Sequence, residues 1–397
     1  MGRDGLVVSP AAESAIRRGH PWVYREQLRG ALDRLEPGAI AKIISAEGSV
    51  VGRAIVDPGS PIAARIWSLG DGAFGPNEIR ERILRAIVLR DRLFDEGTDA
   101  YRLVHGEGDR APGIVVDRYG PVAVLRFDGP AVAVHRELVA DALFEALAPR
   151  GVRSVVLRQA DKGLLEQGAA KIAQLRGEPA PERLVVREHG VPFVVDLARG
   201  QKTGAFLDQR DNRRRVGALA RGRRVLNLFS YTGGFSLHAA LGGAAKTTSV
   251  DVAGGAHATA QASFAEAGVD PAAHAFVTAD VFQFLERAKA RGERWDLVIS
   301  DPPNMAPSAA TRVRALTSYR RLHAMATAVL SPGGVLCAAS CSSHVGLEDF
   351  LSTLTDDVLG RSDLRIVEIA GPGRDHPVLP AFPEGRYLEF CVLAGTA

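Results

Sequence analysis

RVLNLFSYTGGFSLHAALGGAAKTTSVD, residues 224–251, is the stretch on which the reading of this chain turns. Its apolar run Val225–Phe229, bounded by charge and a polar turn, reads as a buried strand. Tyr231-Thr232-Gly233-Gly234 is a tight turn, and paired glycines let the backbone approach a ligand where a Cβ would collide. Phe235–Leu241 reads as a short helix, with Leu237, Ala240 and Leu241 on one face. After Gly242-Gly243 a second strand, Thr247–Val250, ends in Asp251. Strand, glycine turn, helix, strand and terminal carboxylate make a nucleotide-type half-site, in which the acid accepts from a ribose diol beyond the ends of parallel strands.

The phosphate-cradling spacing GxGxxG is absent. A ligand with ribose and adenine but no pyrophosphate, S-adenosylmethionine, therefore fits the pattern better than NAD. A chain of 397 residues holds two or three domains. Its 46% hydrophobic and 24% charged residues describe a soluble globular protein. The net charge of +3 does not by itself announce a nucleic-acid binder. Arginine supplies most of the positive charge, which suits forked contacts to phosphate and equally reflects genome composition. Three cysteines without a CxxC pair argue against a disulfide scaffold and against structural zinc, so no metal is expected. The start, MGRDGLVVSP, has no apolar h-region, and no membrane-length apolar run occurs; a cytoplasmic protein with no membrane partner is expected.

Residues 1–75 read as a small β-rich module, with a helix Ala11–Arg18 and strands Ile40–Ser45, Ser49–Val56 and Ile62–Trp67. Residues 76–183 read as a central mixed α/β domain opened by a connecting helix, Pro76–Phe94. Its other elements are strands Ile114–Asp117, Val122–Phe127 and Val155–Arg158, the helix Val132–Leu147, and a polar loop after Arg158. The turn-rich His105–Asp109 stretch is read as structural. Residues 184–397 open with a hairpin, Leu184–Val186 and Phe193–Asp196, and a dense polar run, Arg199–Arg213, read as a loop feeding the ligand site. Arg213–Arg215, Arg221, Arg223 and Arg224 form either a phosphate-binding patch or a solvated helix face. Beyond Asp251 come the helix Ala256–Ala267, the strand Phe276–Thr278 with Asp280 after it, the helix Val281–Ala290 and the strand Trp295–Ser300. The helix Ser318–Leu330, a stop at Ser331-Pro332-Gly333-Gly334, the strand Val335–Ser340 and a helix starting near Val345 follow. Two closing strands, Arg365–Ile369 and Tyr387–Leu393, complete a doubly wound α/β sheet.

Two motifs end at the same sheet edge as the glycine turn: Asp301-Pro302-Pro303-Asn304 and Cys341. The prolines fix φ and remove N–H donors, pinning the acid. An amino-group methyltransferase usually places an aromatic after such prolines; Asn304 stands there instead. Cytosine C5 is a poor nucleophile, and thiolate addition at C6 makes it able to attack a methyl sulfonium. Cys341, after an apolar strand and before a helix N-terminus, suits that thiolate. Cys337 and Cys391 lie inside strands and read as core. Asp301 would hydrogen-bond the N3/N4 edge of the base.

GHPWVY (19–24), GQKTG and FLDQRDNR (200–213), LNLFSYTGGFS, SVD, DPP, SPGG, SCS, DHPV and PEGRYL run along nearly the whole chain. Together they resemble the PUA-containing, class I rRNA (cytosine-C5) methyltransferase family that acts on large-subunit rRNA. The resemblance implies a PUA domain, a central α/β domain and a C-terminal Rossmann-like catalytic domain. It also implies that Lys202, Phe206, Asp208, Phe229, Tyr231, Gly233, Asp251, Asp280 and Asp301 line the S-adenosylmethionine site, with Cys341 the nucleophile and RNA the partner. The chain departs from the family pattern at Ala205, Ser263, Ala267, Asn304, Met305 and Glu389. Two other readings stay open: a guanine exocyclic-amine methyltransferase, which would not need Cys341, and a non-catalytic RNA-binding assembly factor. The oligomeric state is undecided, a homodimer included.

Overall fold

The structure, a computed structural model, describes residues 5–72, 74–159 and 169–396. Most of the polar loop expected after Arg158 lies outside the described residues, as do Met1–Asp4. The chain forms two units: Met1–Leu184 with Asp196–Ala205 and Arg374–Gly385, and Val185–Val195 with Phe206–Gly373 and Arg386–Ala397.

The first unit carries two sheets. Strands β1 (Leu6–Val8), β2 (Trp22–Tyr24), β3 (Leu28–Arg29), β4 (Ile40–Ile44), β5 (Val50–Val56) and β6 (Ile62–Leu69) form one, in the order β2-β6-β5-β4-β1-β3. The helix Pro10–Arg18 closes its core through Ala12 and Ile16. Ser9 caps that helix by accepting from the Ala12 N–H, and Gly19 ends it at φ 102°, where a Cβ is disfavoured. The second sheet runs β11-β10-β9-β8-β7, built from Ala100–His105 (β7), Ile114–Tyr119 (β8), Val122–Phe127 (β9), Ser154–Gln159 (β10) and Lys171–Gly177 (β11). Helices Pro76–Leu93 and Arg136–Leu147 bury Ile79, Ile83, Ile87, Val139 and Leu143 in its core.

The His105–Asp109 turn is structural, as read. Asp109 takes both guanidinium nitrogens of the fully buried Arg90, at 2.6 and 2.8 Å. Trp22 is half-buried and donates its indole N–H to Glu107 at 2.8 Å.

In the second unit the hairpin β12 (Arg183–Glu188) and β13 (Val191–Asp196) precedes a seven-stranded sheet. Its strands are β14 (Arg224–Leu228), β15 (Lys246–Asp251), β16 (Ala275–Thr278), β17 (Trp295–Ser300), β18 (Leu330–Ser340), β19 (Leu364–Ala370) and β20 (Glu389–Gly395). The order is β16-β15-β14-β17-β18-β20-β19; the first five are parallel, and β20 is antiparallel to both neighbours. The doubly wound reading holds. Strand order reverses at β14, so the crevice beyond its carboxyl end is where such sheets take ligands.

The structure moves three boundaries. The helix expected over Val132–Leu147 is two pieces, Pro130–Ala133 and Arg136–Leu147, with His135 Nε2 against the Gly38 carbonyl at 3.2 Å. The helix expected from Ser318 begins at Arg312, which is ion-paired to Asp349. The expected stop, Ser331–Gly334, is an irregularity inside β18: Trp295 pairs with Leu330 and Leu297 with Val335, so four residues lie opposite the single residue Asp296.

Candidate active site

Phe229, Tyr231 and Gly233 have φ of +56°, +46° and +72°, three left-handed residues within five. Two are bulky, a conformation that surrounding structure must enforce and that clusters at ligand sites. The enforcing contact on Tyr231 is its N–H, which donates to Asp251 Oδ2 at 2.8 Å; Asp251 Oδ1 accepts from the Ala253 N–H at 2.8 Å. The glycines have a reason the sequence does not show. A Cβ on Gly233 would sit 2.9 Å from the Ala260 Cβ, and one on Gly234 would sit 2.8 Å from Arg213 Cδ. Both residues are glycine because helix and arginine pack against the turn.

Around this turn the second unit brings several of the expected residues together. Phe206 sets its ring edge-on to Tyr231 with centroids 5.4 Å apart. Asp208 is buried, its Oδ2 accepting from the Tyr387 hydroxyl at 2.8 Å. Asp280 is exposed and caps the helix Val281–Ala290 through the Gln283 N–H at 2.9 Å. Lys202 is exposed at φ +53° in the Asp196–Ala205 segment, which clusters with the first unit.

Asp301 and Cys341 follow adjacent parallel strands, β17 and β18, with Ser300 level with Ala338. Both are half-buried, and Cys341 Sγ lies 3.7 Å from the Pro302 carbonyl oxygen. The other thiols are different. Burial first, then Glu368, pushes Cys337 up to about 12, and burial with Glu389 does the same to Cys391. The helix expected to start near Val345 starts at Leu347 and has five residues, so its N-terminus does not abut the thiol.

Sequence reading missed the groups that hold these two motifs. Gln209, 3% exposed, donates its amide to Asp301 Oδ1 at 3.0 Å while accepting from the Asn212 amide at 2.6 Å. Only one amide orientation satisfies both bonds. On the other side the buried Tyr319 hydroxyl bonds Ser340 at 2.9 Å and Ser342 at 3.1 Å, the two residues flanking Cys341. Burial pushes this phenol up to about 12, so it stays a hydroxyl. Ser342 also bonds Asn304 Oδ1 at 3.1 Å, and Asn304 Oδ1 accepts from the Ala306 N–H at 2.9 Å. Asn304 thus shapes the loop after DPP. The SCS triplet and the glutamine inside FLDQR were the available signals.

Two arginines of the expected patch, Arg213 and Arg215, are engaged within the fold. Arg213 is 7% exposed and forks onto Glu188, both bonds 2.5 Å, with His238 Nε2 on the same carboxylate at 2.8 Å. Burial alone would raise the Glu188 pKa; the Arg213 charge and the hydrogen bonds of His238 and Arg213 outweigh it and hold the carboxyl well below its usual range. Arg213 Nη1 donates to the Phe206 carbonyl at 2.9 Å, and Arg215 pairs with Glu368 at 2.7 Å. These two side chains serve the fold.

Residues 135–377 match the model of the S-adenosylmethionine-dependent methyltransferases, and residues 6–69 match a PUA-like domain. The chain belongs to that methyltransferase family and carries a PUA-like domain at its N-terminal end. It is 41% identical to a protein of Deinococcus radiodurans named ribosomal RNA large subunit methyltransferase, covering 97% of this chain and 95% of the relative. It is 34% identical to the Cronobacter sakazakii ribosomal RNA large subunit methyltransferase I, covering 97% of each. Among solved structures, a SAM-dependent methyltransferase from Streptococcus mutans shares the fold with a TM-score of 0.84 at 24% identity, covering 98% of this chain and 99% of that one.

S-adenosylmethionine is therefore the cofactor, and the residues present fit it. Each Asp251 oxygen accepts one backbone N–H and retains acceptor capacity for a ribose diol. No group of three or more His, Cys, Asp or Glu among the described residues could hold a metal, and no described helix is long and apolar enough to cross a membrane.

Proposed function

We propose that this chain methylates C5 of a cytosine in large-subunit ribosomal RNA, with Cys341 as nucleophile. The observation that carries the reading is the placement of Cys341: a half-exposed thiol 3.7 Å from the Asp301-Pro302 loop, while the other two thiols are buried in strands. The names of the relatives support ribosomal RNA as the substrate class. In this reading residues 1–75 are an RNA-binding domain, 76–183 a spacer and 184–397 the catalytic domain.

S-adenosylmethionine supplies an electrophilic methyl group. Phe206, Asp208, Phe229, Tyr231, Gly233, Asp251, Asp280 and Asp301 of the second unit make up its site, Asp251 taking the ribose hydroxyls. The Cys341 thiolate adds to cytosine C6, and the C5–C6 π pair moves onto the base as the S–C6 bond forms. N3 takes a proton from solvent as the pair moves, and Asp301 stabilises it by accepting a hydrogen bond from the N3/N4 edge. C5 takes the methyl group, its proton passes to water, the S–C6 bond breaks to restore the ring and the thiolate, and N3 returns its proton to solvent. Gln209 and Tyr319 position the two reacting side chains.

Large-subunit rRNA carrying 5-fluorocytosine tests this directly. Fluorine cannot leave as a proton does, so incubation with protein and S-adenosylmethionine should leave a covalent band on a denaturing gel that Cys341→Ala abolishes. Methyl transfer to unmodified RNA without any trapped band would sink the thiol mechanism and favour a guanine amine.

A further inference from the structure

The seven-stranded sheet has a second concave feature, at its β16 edge. A groove of about 460 Å³ lies between one face of β15 and β16 and the helix Val281–Ala290. Thr248, Ala275 and Val277 lie along its floor, at alternating positions that share a face, with Phe284 and the buried Trp295. Its rim is Arg224, Lys246, Arg287 and Arg291, all exposed.

The arrangement of these four cations is the informative part. Arg224 and Lys246 are direct partners in the β14–β15 register, and like charges so placed repel. Arg287 and Arg291 stand four apart at the end of one helix, where like charges again repel. Both pairs line one groove, and the one acid lining it, Glu293, is bound to Arg291 at 2.7 Å. Arg224 lies 5.9 Å from the Trp295 ring centroid. A fold that keeps two repelling pairs around one concavity is relieved by an anion.

Position and shape say which anion. The groove is about half open to solvent, so a small ligand would stay partly uncovered and an extended one suits it better. Thr278 and Ala279 line its far end, beside Asp280, while Arg224 and Lys246 begin the strands whose carboxyl ends carry Ser230 and Asp251. At roughly 3.3 Å per residue, the basic mouth lies about 16–20 Å from the cofactor edge. We propose that this groove holds the phosphate backbone of the RNA substrate, on nucleotides away from the target base. The inference rests on the reading that the substrate is RNA.

The test uses the full chain, large-subunit rRNA, and a double variant, Lys246→Gln with Arg287→Gln. Neither residue belongs to the catalytic machinery. Each lost phosphate contact should lower the slope of log K against log salt by about 0.7, so the pair loses about 1.4 and roughly 10- to 30-fold in RNA affinity at 0.1 M salt. KM for RNA should rise, KM for S-adenosylmethionine and the melting temperature should not move, and inorganic tripolyphosphate should compete poorly. Wild-type slope and affinity in the variant overturn the inference while leaving the RNA reading intact. Tripolyphosphate binding as tightly as RNA, and lost in the variant, overturns it in favour of a free-anion site. A wild-type protein that neither binds nor methylates rRNA removes the RNA reading, and this inference with it.

Discussion

Glu188→Gln keeps the shape of a side chain that gathers Arg213 and His238 but removes its charge. Arg213 Nε and Nη2 each lie 2.5 Å from Glu188, and His238 Nε2 lies at 2.8 Å. Glu188 is 2% exposed and Arg213 7%, so solvent cannot take over the lost role. Breaking a buried pair by removing one partner costs about 3–5 kcal/mol, since it strands the other charge. Glutamine still offers a carbonyl acceptor, which puts the expectation at the low end, about 3 kcal/mol. For a domain of 150–250 residues that is roughly 6–12 °C in Tm. A near-UV circular dichroism melt at pH 7.5 measures it. Because Arg213 also holds the Phe206 carbonyl, and Phe206 packs edge-on to Tyr231, KM for S-adenosylmethionine should rise in step.

The pH dependence separates charge from shape. The folded Glu188 pKa is held below its ordinary value. Its contribution is therefore full above the unfolded pKa, near 4.3, and is lost as pH falls through the folded value. The gap in stability between wild type and Glu188→Gln should stay constant from pH 8 to about 5 and narrow below about 4.5. A variant that melts within about 2 °C of wild type at pH 7.5, or a gap that widens in acid, would refute the buried charge pair.

Gly233→Ala forces a Cβ to within 2.9 Å of Ala260 at φ +72°; we expect about 1–3 kcal/mol of destabilisation and at least a tenfold loss of S-adenosylmethionine affinity by calorimetry. Gln209→Leu removes the donor on Asp301 Oδ1 and leaves the Asn212 amide one acceptor short. Methyl transfer should slow roughly 10- to 100-fold in kcat with KM for S-adenosylmethionine unchanged. An unchanged kcat would reduce Gln209 to packing.

What was legible in the chain, and what was not, follows from the range over which each signal acts. Strand β17 stands where Trp295–Ser300 was read, because a strand buried on both faces writes itself as an uninterrupted apolar run. Strand β7 was missed because Arg102 interrupts its run, although that arginine is buried against Asp117. The pairing is invisible where it matters, since Asp117 lies on the next strand. Arg213 misled for the same reason. Its neighbours in sequence are arginines, its partner Glu188 is 25 residues upstream, and no local pattern distinguishes a buried fork from a solvated cation.

The expected site residues carry a different signal, because most stand at the carboxyl ends of parallel strands, where periodicity stops and a charged or nucleophilic side chain is conspicuous. Asp251, Asp301 and Cys341 are of that kind. Gln209, Tyr319 and Ser342 are not: they reach the same edge from a 3₁₀ turn, a helix and a loop. Asn304 shows the consequence. From sequence it marks a missing aromatic, a loss. In the structure its carbonyl accepts from Ser342 and Ala306, closing the DPP loop against the strand end that carries Cys341. A residue that looks like a departure at the level of the motif is, at the level of hydrogen bonds, the joint between the motif's two halves.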